Sequence, residues 1–167
     1  MSYPEPLYHG ESGLINATLQ PADRSPEVTY PSGGTAHYLA TGESTGGQFG
    51  LYRWEMAATQ GGPGPHFHRS ISESFYILSG TIRLYDGARW IDGTPGDFLF
   101  VPEGGIHAFR NESGAPATML ILFAPGAPRE PYFETTAGLA SGLQLTDDEK
   151  TAFYLRHDTF WLPQDGD

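Results

Sequence analysis

The chain has 167 residues, no cysteine, 22 glycines, 14 prolines and a formal net charge of -11. Its length suits one domain whose core needs no staples, and the missing cysteines exclude disulfides, thiolate ligands and thiol nucleophiles. The basic side chains are eight arginines and Lys150 with no basic stripe, which argues against nucleic acid, and the acidic surplus disfavours polyanionic substrates such as phosphosugars.

Residues 1–33 are rich in Pro, Ser and Gly and are expected to form an irregular arm, without the basic start and apolar run of a secretory signal. No apolar stretch approaches the ~20 residues of a membrane span, so no membrane partner is expected and a cytoplasmic location is. Thr35–Thr41 and Gln48–Ala57 read as strands, and Thr59–Pro65 is a breaker-rich loop. Glu73–Gly80 and Thr81–Gly87 follow, with Asp86-Gly87 as a hairpin turn because tight turns need positive φ. Ala88–Gly93 closes that hairpin, and Gly96–Pro102, Gly105–Asn111 and Ala117–Pro125 are three further strands. About eight strands at roughly 8–12-residue spacing predict a sandwich or barrel. In the tail, Thr146 with Glu149 three residues on is a capping-box start, which predicts a short helix over Thr146–His157. A further turn of helix is expected near Tyr132–Thr136. The organisation expected is an arm over 1–33, a β-domain over 34–126 and a helical tail over 127–167.

The stretch "HFHRSISE", His66 to Glu73, carries the chemistry. Side chains alternate along a strand, so His66 and His68 share a face. Glu73 stands at an odd offset from His68 and joins that face only if the chain turns within Arg69–Ser72, a short polar stretch able to do so. His107 follows Pro102–Gly105, a turn sequence whose proline fixes φ and whose glycines permit positive φ. Three imidazoles and a carboxylate meeting inside a β-domain would make a metal site with positions left open for substrate or water.

These residues resemble the two motifs of the cupin superfamily. The first reads His66-x-His68, four residues, Glu73, six residues, Gly80. The second reads Gly96, five residues, Pro102-x-Gly104, two residues, His107, three residues, Asn111. The glycine opening the first motif departs from the pattern, since four residues separate Gly61 from His66 where the family usually has five. The resemblance covers Thr35 to about Pro125 and implies an all-β fold, a double-stranded β-helix or jelly-roll cupin barrel with an N-terminal arm and a short C-terminal helix. It implies His66, His68, Glu73 and His107 as ligands of one divalent transition metal per chain, whether Fe, Ni, Mn, Cu or Zn. It implies structural roles for Gly80, Gly96, Pro102, Gly104 and Asn111. The arm and tail are similar in layout to those of small single-domain, quercetinase-like cupins.

Other histidines have blander readings. His9 and His37 lack a carboxylate at strand spacing, so surface or hydrogen-bonding roles are expected. His157 falls in the last turn of the tail helix, where a histidine interacts well with the helix dipole. Tyr52 and Trp54 on the strand before the site, with Phe75 and Phe109 beside ligands, are mostly core by composition but are the candidate pocket residues. An aromatic, largely uncharged pocket favours a planar aromatic or polyketide-like substrate.

Three functions follow. One is a dioxygenase of secondary metabolism that binds an enolate or phenolate oxygen at the metal, takes dioxygen as co-substrate and uses Glu73 as proton acceptor. A second is a non-redox cyclase or isomerase of polyketide-type substrates, with zinc as Lewis acid. The third is a small-molecule-binding cupin without turnover. A homodimer is expected, with apolar spots of the arm (Leu14, Ile15, Tyr30) adding to a neighbour's sheet.

Overall fold

A computed structural model describes residues 2–162. The strands are β1 (Val28–Thr29), β2 (Thr35–Ala40), β3 (Gly50–Met56), β4 (His66–Phe67), β5 (Ser72–Ser79), β6 (Ile82–Tyr85), β7 (Trp90–Gly93), β8 (Phe98–Val101), β9 (Ala108–Arg110), β10 (Ala117–Ala124) and β11 (Phe160–Trp161). Two helices, α1 (Glu130–Ala140) and α2 (Asp147–Arg156), lie between β10 and β11. Six strands form one sheet in the order β1-β2-β3-β10-β5-β8. The facing layer comprises β7-β6-β9 and β11-β4, joined by an isolated antiparallel bridge between His66 and His107. This is an all-β jelly roll, a double-stranded β-helix with two short helices appended.

Alternation explains how the main sheet finds its inner face. Along β3, Tyr52, Trp54 and Met56 are buried while their neighbours are half-buried, and β10 repeats the pattern with Ala117, Met119, Ile121 and Phe123. The register sets Ile121 opposite both Tyr52 and Phe75, so three inward side chains meet across three strands. At the β6–β7 hairpin, Gly87 takes φ 92° as the turn requires, and Asp86 Oδ1 accepts from the amides of Ala88 and Arg89.

The tail is more structured than its sequence predicts. α1 has 11 residues where one turn was expected, although Pro131 and two threonines weaken its helix signal. Burial supplies the difference: the Phe133 ring packs 5.0 Å from Tyr52 and 5.1 Å from Trp54. β11 is two residues long, too short for periodicity to reveal. α2 matches its prediction, with both capping-box hydrogen bonds formed between Thr146 and Glu149. His157 stands at the C-terminal end of α2, where its sequence reading put it. It caps α2 packed against Phe153 and Tyr132, and burial, then Arg129 and Arg156, lower its pKa.

In the arm, Leu14 and Ile15 are exposed. Tyr30, expected to reach a neighbour, is instead taken up by its own chain: its hydroxyl donates to the Phe133 carbonyl at 3.2 Å and lies 3.0 Å from Thr136 Oγ1. His37 is buried between Arg53 and Glu55. Among the described residues no helix is long and apolar enough to cross a membrane.

Candidate metal centre and its cavity

His66 lies on β4 and His68 just after it. The following polar turn reverses the chain and brings Glu73, the second residue of β5, back onto the imidazole face. The turn is closed from the tail: Asp158 accepts from the amides of Arg69 and Ser70 and from the Ser70 hydroxyl. His107 arrives from the other motif. Its amide donates to the His66 carbonyl at 2.9 Å, and the His66 amide donates back at 3.0 Å. Gly104, at φ 80°, donates its amide to the His68 carbonyl at 2.6 Å and ties the second turn to the first. The four side chains are buried, and one potential ligand atom from each lies within 4.8 Å of the others.

The hydrogen bonds set the imidazole tautomers. Nδ1 of His66 faces the Gly64 carbonyl at 2.8 Å, that of His68 the Asp158 carbonyl at 2.5 Å, and that of His107 the Gly105 carbonyl at 3.0 Å. A carbonyl only accepts, so each Nδ1 carries the hydrogen and each neutral ring keeps its Nε2 lone pair. Nε2 of His68 and of His107 then meet Glu73 Oε2 at 3.1 and 2.8 Å. Lone pair against lone pair is repulsive unless something positive sits among them. A proton meets that need in part; a divalent cation shared by three Nε2 atoms and a carboxylate meets it fully, and carbonyl-locked Nδ1–H groups are what histidine ligands require.

The electrostatics agree. Burial opposes ionisation of Glu73, but His107 and His68 outweigh it and hold the carboxyl well below the usual carboxylate range. Burial, then His107, pushes His66 down to about 3 and keeps it neutral. For His107 burial is again the largest influence and lowers the pKa, yet Glu73 overturns it and the net direction is upward.

His66 and Glu73 open into a cavity of about 330 Å³. Its walls include Trp54, Phe109, Phe123, Phe133, Tyr132 and Trp161. Of the four pocket candidates, Trp54 and Phe109 line it. Tyr52 and Phe75 do not: both are wholly buried behind the wall, Tyr52 against Phe133 and Phe75 against Phe109 and His107. The tail contributes residues no motif marks. The Trp161 ring stands 5.1 Å from the His66 ring because β11 pairs with β4, and Arg129, which precedes α1, reaches the cavity. Asp158 is the third such residue, and its φ of 52° had no sequence signal beyond an aspartate's tolerance of that region.

Asn111 holds the second motif from within. Its Nδ2 donates to the carbonyls of Ala57 and Ala115 at 2.8 and 2.7 Å, and its Oδ1 accepts from the Ser113 amide and hydroxyl.

The model of the family described as "Cupin domain" matches residues 52–123. Quercetin 2,3-dioxygenase of Bacillus subtilis (strain 168) is 32% identical over 101 residues, 58% of this chain and 28% of that protein. An uncharacterized protein of Aquifex aeolicus (strain VF5) is 33% identical over 61 residues, 36% of this chain and 50% of that protein. The chain thus aligns with half or less of either relative's length. Among solved structures, a protein described as a predicted oxalate decarboxylase from Thermotoga maritima superposes with a TM-score of 0.57 at 20% identity, covering 65% of this chain and 99% of that one. KdgF from Halomonas sp. gives 0.56 at 14%, covering 66% and 94%. Motifs, fold and family match agree on a cupin domain over residues 52–123 of this chain.

Proposed function

We propose that this protein is a metal-dependent enzyme acting on a small aromatic or enolic substrate, as a quercetinase-like dioxygenase. The observation that carries the reading is the buried group of His66, His68, Glu73 and His107 at the foot of an aromatic-walled cavity. The partial identity with quercetin 2,3-dioxygenase supports the choice of reaction.

One divalent transition metal per chain (Fe, Ni, Mn, Cu or Zn), held by those four side chains, would supply Lewis acidity and, for a redox-active ion, a path for electrons to dioxygen. The chain does the rest. Glu73 engages both imidazoles through Oε2, and among the described residues Oε1 has no hydrogen-bond partner. In this reading Oε1 receives the substrate's enol proton. Trp54, Phe109 and Trp161 hold a planar ring system and exclude water around the reacting oxygen.

The test is elemental analysis of protein purified without added metal, followed by oxygen uptake on aromatic enols. Metal-dependent oxygen consumption is the expected result. Turnover under nitrogen with zinc would instead assign the site to the non-redox cyclase or isomerase class, and ligand binding without turnover to a binding cupin.

The homodimer belongs to the same proposal. Tyr76 and Leu78 of β5 and Phe98 and Phe100 of the edge strand β8 are exposed apolar side chains, as are Leu14, Ile15 and Leu19 of the arm. A second copy's arm laid on that face would cover both. Light scattering at micromolar concentration is expected to give the dimer mass; a monomer throughout rejects it.

A further inference from the structure

The cavity wall contains a cation with no counter-ion. Arg129 is 4% exposed and lines the cavity. Its Nη1 donates to the His157 carbonyl at 2.7 Å. Among the described residues its Nε is buried without a partner, its Nη2 makes no hydrogen bond, and no carboxylate pairs with the guanidinium. The aromatic rings of Tyr132, Phe123 and Phe133 lie 4.1, 4.9 and 5.8 Å from its central carbon. Such π contacts hold the group in place and offset part of its desolvation, but they leave the outward N–H donors unused.

Charge points the same way. Glu73 is the sole carboxylate lining the cavity among the described residues. Its one negative charge is already committed to the imidazole cluster, and a divalent cation there would leave the cavity more positive still. A buried, unpaired guanidinium is costly unless an anion meets it.

We propose that Arg129, through its free Nη2, is an anion-receiving subsite that seats the carboxylate of an aromatic monocarboxylic acid while the rest of the ligand fills the cavity toward His66 and Glu73. This deepens the function proposed above by giving the aromatic or enolic substrate a carboxylate. It rests on that reading only in calling the ligand a substrate; the subsite itself stands on the cavity and its unpaired donors. A planar carboxylate suits the guanidinium, and the apolar wall suits the ring.

The test compares two near-isosteric probes, 2-naphthoate and the uncharged 2-naphthamide, on the full chain loaded with zinc under nitrogen, by calorimetry. The wild type is expected to bind naphthoate at least tenfold more tightly than naphthamide. R129M is expected to erase that preference while binding naphthamide within threefold of wild type. R129K, which keeps the charge and loses the planar fork, is expected to retain only part of the preference and serves if loss of the His157 contact prevents R129M from folding. Equal binding of the two probes by the wild type overturns the proposal. So does an undiminished preference in R129M or R129K, which would place the carboxylate on the metal group instead. Neither oxygen nor turnover enters this assay, so its outcome is distinct from that of the oxygen-uptake experiment.

Discussion

The backbone carbonyl of Asp158 accepts the Nδ1 hydrogen of His68 at 2.5 Å, although 90 residues separate them in sequence. The same aspartate uses its carboxylate to cap the turn after His68, with Ser70 donating its amide at 2.8 Å and its hydroxyl at 2.6 Å. One residue thus orients a candidate ligand and closes the turn that returns Glu73 to the site. It does so at φ 52°, a left-handed conformation that costs a non-glycine residue about 1 kcal/mol.

Replacing Asp158 with alanine keeps the strained backbone and removes the cap. The backbone carbonyl that orients His68 survives in D158A, so metal affinity is expected to fall only through loosening of the turn that returns Glu73, by up to about tenfold. D158N, which tolerates the same φ and keeps one acceptor, is expected to fall less. Metal titration of the two variants checks the order; equal affinities for both and for wild type would remove the Asp158 carboxylate from the site's support.

Metal addition is expected to raise the melting temperature, because an ion that binds only the folded chain stabilises it by about 2.7 kcal/mol at a hundredfold excess over Kd. A chelator should reverse the gain, and H107A should abolish it. Calorimetric scans with zinc, manganese, nickel, iron and copper that all overlay the metal-free trace would count against the centre.

Tyr52 and Asn111 separate support from chemistry. The Tyr52 hydroxyl donates to Glu130 Oε1 at 2.5 Å, away from the cavity. Y52F is therefore expected to lose about 1 kcal/mol of stability without changing ligand affinity. N111A removes four hydrogen bonds that tie the second motif together and leaves the Ser113 amide without its acceptor, and a loss of about 3 kcal/mol is expected. Urea denaturation of both, with a binding assay on Y52F, decides the matter.

The pKa of His157 is lowered by burial, then by Arg129 and Arg156. The unfolded chain takes up the proton at a higher pH than the folded one. The stability tied to the neutral ring is therefore present above the ordinary histidine pKa of about 6.5 and is lost as pH falls below it. The ring is partly exposed, so screening keeps the effect small. H157Q should flatten the fall in stability between about pH 7 and pH 5; an unchanged slope would show that the ring does not contribute.

The sandwich was legible because about eight short strand-like segments recur at regular spacing and because Asp86-Gly87 and Thr146 with Glu149 are local signals whose cause lies within a few residues. The four-residue cluster was legible for a related reason: each motif writes its own turn into the chain, one through Arg69–Ser72 and the other through Pro102–Gly105. The pocket was read less well. Trp54 and Tyr52 share a strand face and differ in sequence by nothing that tells wall from core; Phe133 of α1 packs on both rings, and only Trp54 also borders the cavity.

By itself, then, the order of residues determined strand periodicity, turn chemistry and a set of side chains able to gather on one face, since those depend on neighbours along the chain. Tertiary structure decided what surrounds that set. Arg129, Asp158 and Trp161 reach it because α1 and α2 pack on the sheet and β11 pairs with β4. Such contacts arise from burial and pairing between segments far apart in the chain, and the sequence near each of these residues carries no trace of the partner it will meet.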